Sequence, residues 1–295
     1  MVAFAFDSAG RLWFTVTGLE TGPRSRYGVY LVAKEGVRPQ GVIAGLNEPI
    51  GLDWYAGKLY VASVGRVDAY WDFNGTRFAR HKTILKIPGA KGTLNNLLTM
   101  APDGRFLMAV GATCERCAIS KWEGAIVSFK PDGSDLRVYA GRIHLPFGLI
   151  YYPGTSDLFV SMDQPDYKGR GDWLSIVREG EEWGFPGCYG QGGPSCAGVP
   201  APLATLDPGG AASGIAIATG QLGPSVGTSA LVGEWQVSKV QRVALARTSS
   251  GFRSTDVTPF LRGIRGPIAL AFAPDGSLLV GDWSTGTIYR IYRAS

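Results

Sequence analysis

The side chains able to do chemistry in this sequence are few, and their order along the chain is informative. Glu234 and Asp282 each precede a tryptophan, in GEWQ and GDWS. Two carboxylates brought together can bind a cation or share a proton. Asp163, Asp166 and Asp172 lie in DQPDYKGRGDW, a Gly-containing acidic stretch whose oxygen donors suit Ca2+, although EF-hand spacing is absent. The chain has two histidines. His144, in GRIHLPFGL, is placed for a general-base or ligand role. His81, in FARHKTILKI, reads as a surface residue of an outer strand. Neither a Ser-His-Asp array nor a phosphate-binding GxxxxGK[ST] loop is present. Each of these residues also has a plain structural reading: a carboxylate can cap its own turn, and a histidine can be a hydrogen-bonded part of the core.

A repeated strand pattern must position these groups. An apolar run, a turn and a second apolar run recur along the chain. The clearest copies are FAFDSAGRLWFTVTG, GLDWYAGKLYVASVG, LLTMAPDGRFLMAVG and LAFAPDGSLLVGDW, and weaker ones start at Gly148 and Gly214. Aligned on the residue after the turn, the copies fall at Leu12, Leu59, Phe106, Leu158, Ala230 and Leu278, so by subtraction the spacings are 47, 47, 52, 72 and 48. A four-stranded propeller blade takes about 40–50 residues. Third and fourth strands follow in each of units one, three and five, joined by turns carrying Glu-Gly, Asp-Gly or Ser-Gly. No amphipathic helix of useful length appears. The expected fold is all-β: residues 1–295 form one six-bladed β-propeller, with an insertion in blade 4 at about 163–208. Unit six offers three strands before the sequence ends, so either the last blade is three-stranded or a segment ahead of Met1 supplies the fourth.

The register then locates the chemistry. Four residues past each anchor lie Val16, Ser63, Val110, Met162, Glu234 and Asp282. Glu234 and Asp282 thus occupy equivalent places on neighbouring blades, at the channel mouth, with Trp235 and Trp283 one residue on. Loops on a rigid scaffold are the usual place for a site.

Bulk properties narrow the classes. Of 295 residues, 45% are hydrophobic and 18% charged, enough to pack a core and avoid disorder. The net charge of +5 is mild and no Lys/Arg block occurs, so no nucleic-acid partner is expected. No apolar run approaches the roughly 20 residues that span a bilayer. No signal peptide is visible, and the chain is expected to be the mature form of an extracellular or periplasmic protein, a monomer. The four cysteines form two local pairs, Cys114/Cys117 and Cys188/Cys196. Disulfides are the preferred reading, with free thiols and a metal site as alternatives.

Four stretches resemble the glucose/sorbosone dehydrogenase family, the soluble propellers that use pyrroloquinoline quinone (PQQ). They are APDGRFLMAVGATCERC, GRIHLPFGLIYYPGTSDLFVSMDQPD, GDWLSIVREGEEWGFPGCYG and GPIALAFAPDGSLLVGDWSTGTIYRIYR. The resemblance covers most of the chain, and GEEWGFPGCYG is its most specific segment. It implies oxidation of a sugar at its anomeric or aldehyde carbon, by hydride transfer to the quinone. In the family a His is the base, Arg residues hold the quinone and Ca2+ polarises it. This chain departs at those positions. The family His falls near Thr93 in KGTLNN; the family Arg-Asn before PFG reads His144-Leu145; the blade-5 Arg reads Gln236; and a His-containing segment reads Gly209-Gly210-Ala211-Ala212. Thr93, His144, Gln236 and Trp283 are therefore the candidate cofactor contacts. Asp163, Asp166 and Asp172 are the candidate Ca2+ ligands, and PQQ itself is disfavoured. Three readings follow: a sugar dehydrogenase with altered or lost activity, a non-catalytic propeller binding a sugar-like ligand or a partner, and a metal-dependent lactonase-type hydrolase built on Glu234, Asp282 and Asp163.

Overall fold

The computed structural model describes residues 1–18, 26–87, 95–115, 117–165, 171–188 and 196–293. Blade 1 is β1 (Phe4–Phe6), β2 (Leu12–Val16), β3 (Gly28–Val32) and β4 (Gln40–Ala44). Blade 2 is β5 (Gly51–Tyr55), β6 (Lys58–Ser63), β7 (Arg66–Phe73) and β8 (Phe78–Lys86). Blade 3 is β9 (Asn95–Met100), β10 (Phe106–Val110), β11 (Ala125–Phe129) and β12 (Arg137–Ala140). Blade 4 is β13 (Leu145–Tyr151), β14 (Leu158–Asp163), β15 (Gly171–Val177) and β16 (Ala204–Pro208). Blade 5 is β17 (Ala212–Thr219), β18 (Thr228–Glu234), β19 (Lys239–Thr248) and β20 (Gly251–Arg262). Blade 6 is β21 (Pro267–Phe272), β22 (Leu278–Asp282) and β23 (Thr287–Ile291). Every sheet is an antiparallel meander, and among the described residues that of blade 6 has three strands.

The alternation read from the sequence is why these segments pair as they do. Four anchor residues open their second strand, opposite the end of the first (Leu12 faces Phe6, Phe106 faces Met100, Leu158 faces Tyr151 and Leu278 faces Phe272), while Leu59 and Ala230 lie one and two residues further in. The glycines of the Glu-Gly, Asp-Gly and Ser-Gly turns adopt positive φ (Gly36, Gly133, Gly251), which spares them the Cβ clash. The innermost strands touch in a closed cycle, β1–β5–β9–β13–β17–β21–β1. This is the six-bladed propeller expected from the repeat, and the described residues contain no α-helix.

Within 163–208, β15 and β16 are ordinary third and fourth strands. The part outside the blade pattern is the excursion between them. Its described residues run back along blade 3: Gly141 and Glu182 form a parallel bridge, Trp183 N–H donates to Gly141 O at 2.9 Å, and Phe185 N–H donates to Arg142 O at 2.8 Å. Buried Trp183 stacks on Trp173 with centroids 4.4 Å apart. Cys188 and Cys196 are disulfide-bonded (Cα–Cα 5.1 Å), as are Cys114 and Cys117 (5.8 Å). Residues 180–188 of the GEEWGFPGCYG segment are thus the anchor of this arm.

Neighbouring blades are locked by buried hydroxyls. Thr15 Oγ1 donates to Ile50 O (3.3 Å), Ser161 Oγ to Ser213 O, and Ser213 Oγ to Pro267 O (2.9 Å). All three side chains are fully buried. One half-buried group stands apart. Asp53 on β5 accepts the Met100 N–H at 3.0 Å, yet desolvation pushes its pKa up to about 7. The folded state therefore holds this proton more tightly than the unfolded chain. The stabilisation is complete below pH 4 and disappears as pH rises through 7. Asp53→Asn keeps the acceptor and removes the ionisation. It is expected to match the parent at pH 4 and to exceed it by on the order of 2 kcal/mol at pH 8.5, after allowing for partial exposure. Urea melts at the two pH values measure this; equal gains at both would contradict it.

Candidate functional site at the channel mouth

At one end of the channel, every blade contributes to a single apolar cluster. Blade 1 gives Val2, blade 2 Ile50, blade 3 Leu97, blade 4 Phe147, blade 5 Trp235, and blade 6 Ile268 and Trp283. Register shifts in the inner strand pairs explain part of this focus. The pairings slip between Met108 and Val110, between Pro146 and Leu149, and between Pro267 and Ala269. The extra inner-strand residues at these slips include Leu97, Phe147 and Ile268. A bulge re-aims a side chain out of the regular alternation. Trp235 and Trp283 are half-buried and meet edge to face, 5.7 Å between centroids and 74° between planes. Trp283 Nε1 donates to Thr17 O at 3.1 Å across the seam between blades 6 and 1. Thr17, Trp235 and Trp283 are equivalent positions in the sequence register, and the fold brings them to this mouth.

The carboxylates beside the tryptophans are committed to the scaffold. Asp282 Oδ1 accepts the N–H groups of Ser284 (3.0 Å) and Thr285 (3.2 Å), and Oδ2 that of Arg265 (3.2 Å). Glu234 is fully buried; Oε1 accepts the Asp207 N–H at 2.8 Å and Oε2 lies 3.4 Å from Lys239 Nζ. Lys239 Nζ also pairs with Asp207. Desolvation raises the Glu234 pKa, with the Asp207 N–H and Lys239 pulling the other way. The equivalence of the two acids in the register is visible in pairing: Glu234 faces Ala212 and Asp282 faces Pro267, each at the first residue of an inner strand. Lys239 was missed by sequence reasoning. Its signal was the hairpin from β18 to β19, in which Glu234 and Lys239 are direct partners.

The other candidates lie around this centre. Asp172 is fully buried and bridges two blades: Oδ1 accepts Gln164 N–H (3.0 Å) and Oδ2 accepts Ala212 N–H (2.8 Å). Asp163 is half-buried, and its carbonyl lies 2.7 Å from His144 Nδ1. His144 is buried, its ring 5.0 Å from that of Phe185 and its Nε2 3.6 Å from the exposed Glu115. The disulfide loop holding Glu115 and the excursion of blade 4 therefore enclose this histidine. Gln236 is exposed, its N–H donating to Gly210 O at 3.1 Å. Thr93 and Asp166 lie outside the described residues. His81 is exposed on β8 and stacks on Tyr70. Among the described residues, no group of three His, Cys, Asp or Glu side chains is placed to hold a metal ion.

No family model matches the chain, and no curated protein matches its sequence. Solved structures do match its fold. The PQQ-bound aldose sugar dehydrogenase of Streptomyces coelicolor superposes with a TM-score of 0.76 at 19% identity, covering 99% of this chain and 92% of that one. The holo form of the pyranose dehydrogenase PQQ domain of Coprinopsis cinerea gives 0.81 at 14% identity, covering 99% and 92%. The calcium structure of a family AA12 carbohydrate-active enzyme of Trichoderma reesei gives 0.69 at 14% identity, covering 99% and 97%.

Proposed function

We propose that this propeller binds a sugar-like small molecule at the aromatic mouth, on a scaffold shared with quinone-dependent sugar dehydrogenases. The observation that carries the reading is the convergence of Trp235, Trp283 and Phe147, all half-buried, from three blades onto one apolar floor. Aromatic faces beside a rigid rim are suited to the C–H-rich face of a pyranose ring. The scaffold supports the same ligand class, because its structural neighbours include an aldose sugar dehydrogenase and a pyranose dehydrogenase domain.

The neighbours also bring PQQ and calcium into question. Glu234, Asp282 and Lys239 do not fit either group. The acids nearest the mouth already accept backbone amides, and Lys239, the buried cation beside them, is held by Asp207 and Glu234. A tricarboxylate quinone needs unspent cations, and Ca2+ needs several free oxygens. We therefore derive no hydride-transfer step, and read the chain as a binding propeller rather than a working dehydrogenase or a lactonase. Two disulfides fit an oxidising, extracellular or periplasmic setting.

Tryptophan fluorescence titrated with a panel of aldoses, without added cofactor, tests this. Saturable quenching is expected, insensitive to a calcium chelator. Trp235→Ala and Trp283→Ala are each expected to weaken binding about tenfold or more, the scale of one aromatic contact. Dye reduction by an aldose once PQQ and Ca2+ are supplied would establish the dehydrogenase reading instead.

A further inference from the structure

A cavity of about 550 Å3 lies between blades 3 and 4, and none of its lining residues belongs to the apolar cluster of the mouth. One wall is the loop between β10 and β11, at residues 118–123, and the other is the blade-4 excursion, at residues 182–186. The floor is Val138 of β12 with Gly141 and Arg142. Floor and walls are stitched together. Ile143 N–H donates to Gly124 O at 2.8 Å, and Gly141 N–H donates to Glu181 O at 3.0 Å. A disulfide closes each wall, Cys114–Cys117 ahead of the first and Cys188–Cys196 behind the second.

Arg142 is the central group. Its φ is +55°, a region that residues other than glycine seldom adopt. Two bonds to one residue keep it there: Phe185 N–H donates to Arg142 O at 2.8 Å, and Arg142 Nε donates to Phe185 O at 3.1 Å. The two terminal guanidinium nitrogens have no partner among the described residues, and neither Arg142 nor Lys121 is ion-paired there. Two acids share the lining. Glu123 is spent, since Oε1 accepts the Thr113 hydroxyl (3.3 Å) and Oε2 accepts Ser120 N–H (2.8 Å). Glu182 is exposed and pairs with no cation among the described residues. Its carboxylate lies against Gly141, where a Cβ would come within 2.9 Å of Oε1, so the glycine makes room for it.

We propose that this cavity binds a free amino acid with an apolar side chain, held as its zwitterion. The carboxylate goes to Arg142 and Lys121, the ammonium to Glu182, and the side chain to the surface of Ile119, Val138, Phe185 and Pro186. A guanidinium pinned at Nε offers its remaining N–H groups as a fork, which suits a carboxylate. The two cations and two carboxylates of the lining cancel, which opposes a phosphate dianion and fits a ligand without net charge. Backbone held in a sparsely populated region is a recurrent feature of ligand clamps.

Calorimetric titration of the intact protein tests this with phenylalanine, leucine, N-acetylphenylalanine and phenethylamine. Phenylalanine or leucine is expected to bind saturably at one site. The last two probes each lack one charge and are expected to bind about tenfold more weakly than phenylalanine. Glu182→Gln should erase the preference over N-acetylphenylalanine and keep that over phenethylamine. Arg142→Gln should do the reverse. Damage to the fold would weaken all probes alike, so this crossed pattern separates recognition from stability. Lys121→Met alters an exposed side chain and should weaken phenylalanine by about threefold. No heat from either amino acid, equal binding of charged and capped probes, or an unchanged preference in both Glu182→Gln and Arg142→Gln would overturn the proposal. So would displacement of the amino acid by an aldose, which would put it at the mouth.

Discussion

Gly214→Val yields no soluble, folded propeller, while Gly214→Ala folds with a Tm lowered by about 5–10 °C. The reason is a backbone contact. Gly214 on β17 lies against β21, and a Cβ at this position would sit 2.3 Å from Ile268 O and 3.2 Å from Leu270 N. Real Cβ atoms do not approach oxygen so closely, and the obstacle is a main-chain carbonyl rather than a mobile side chain. The two inner strands must therefore part. Parting them strains the Ser213 Oγ bonds to Gly233 O and Pro267 O and opens the core shared by blades 5 and 6. Overpacking alone costs about 1–3 kcal/mol, and loss of a buried bond adds about 1 kcal/mol. At about 2–4 °C per kcal/mol, that gives the expected shift for alanine, and valine's extra methyls exceed what the ring tolerates. Gly154→Ala is the control. It has positive φ (+73°) but nothing within 4 Å of the added Cβ, so it costs only about 1 kcal/mol. Equal effects at the two glycines would show that conformation, not contact, governs Gly214.

The second large effect belongs to Lys239. Lys239→Met leaves Glu234 fully buried without its countercharge, and breaking one side of a buried pair costs about 3–5 kcal/mol. The pH dependence gives the mechanism away. Burial already raises the Glu234 pKa. A carboxylate raised in the fold favours folding most below its unfolded value and withdraws that support as pH rises through its folded value. Removing the lysine raises it further. The deficit of Lys239→Met is therefore expected to be largest at pH 8 and to shrink toward pH 4. The double variant with Glu234→Gln should recover most of the loss at pH 8, because the amide still accepts the Asp207 N–H and carries no charge. Guanidinium melts of the single and double variants at both pH values provide the cycle. A pH-independent deficit, unrelieved by Glu234→Gln, would assign Lys239 a packing role only.

Both effects rest on features read unequally from the residues. The blades were legible because strand alternation is local and recurs at turn residues with a fixed backbone demand. Leu12, Leu158 and Leu278 sit where the spacing put them. The register also placed Thr17, Trp235 and Trp283 together, which is half of the mouth. The other half was hidden. Phe147, Leu97 and Ile268 reach the cluster through slips in strand pairing, and a slip leaves no mark in a period-two pattern. The use of the acids was hidden for another reason. Whether a carboxylate serves a ligand or a backbone amide depends on where the next turn places its N–H groups. The turn after Asp282 and the Lys239 partner of Glu234 decide that in three dimensions. Asp172 illustrates the same limit, since one of its amides comes from the adjoining blade, 40 residues away in sequence.

The closed cycle of inner strands has a consequence for the mouth that no single blade reveals. Each strand leans on the next, and the last leans on the first, so the angular errors of all six boundaries must cancel around the axis. A boundary loosened anywhere is felt as a change in aperture, because the mouth is rimmed by residues drawn from every blade. The spacing between Trp235, Trp283 and Phe147 is thus a collective property of the circle, set by side chains far from the mouth as well as by those at it.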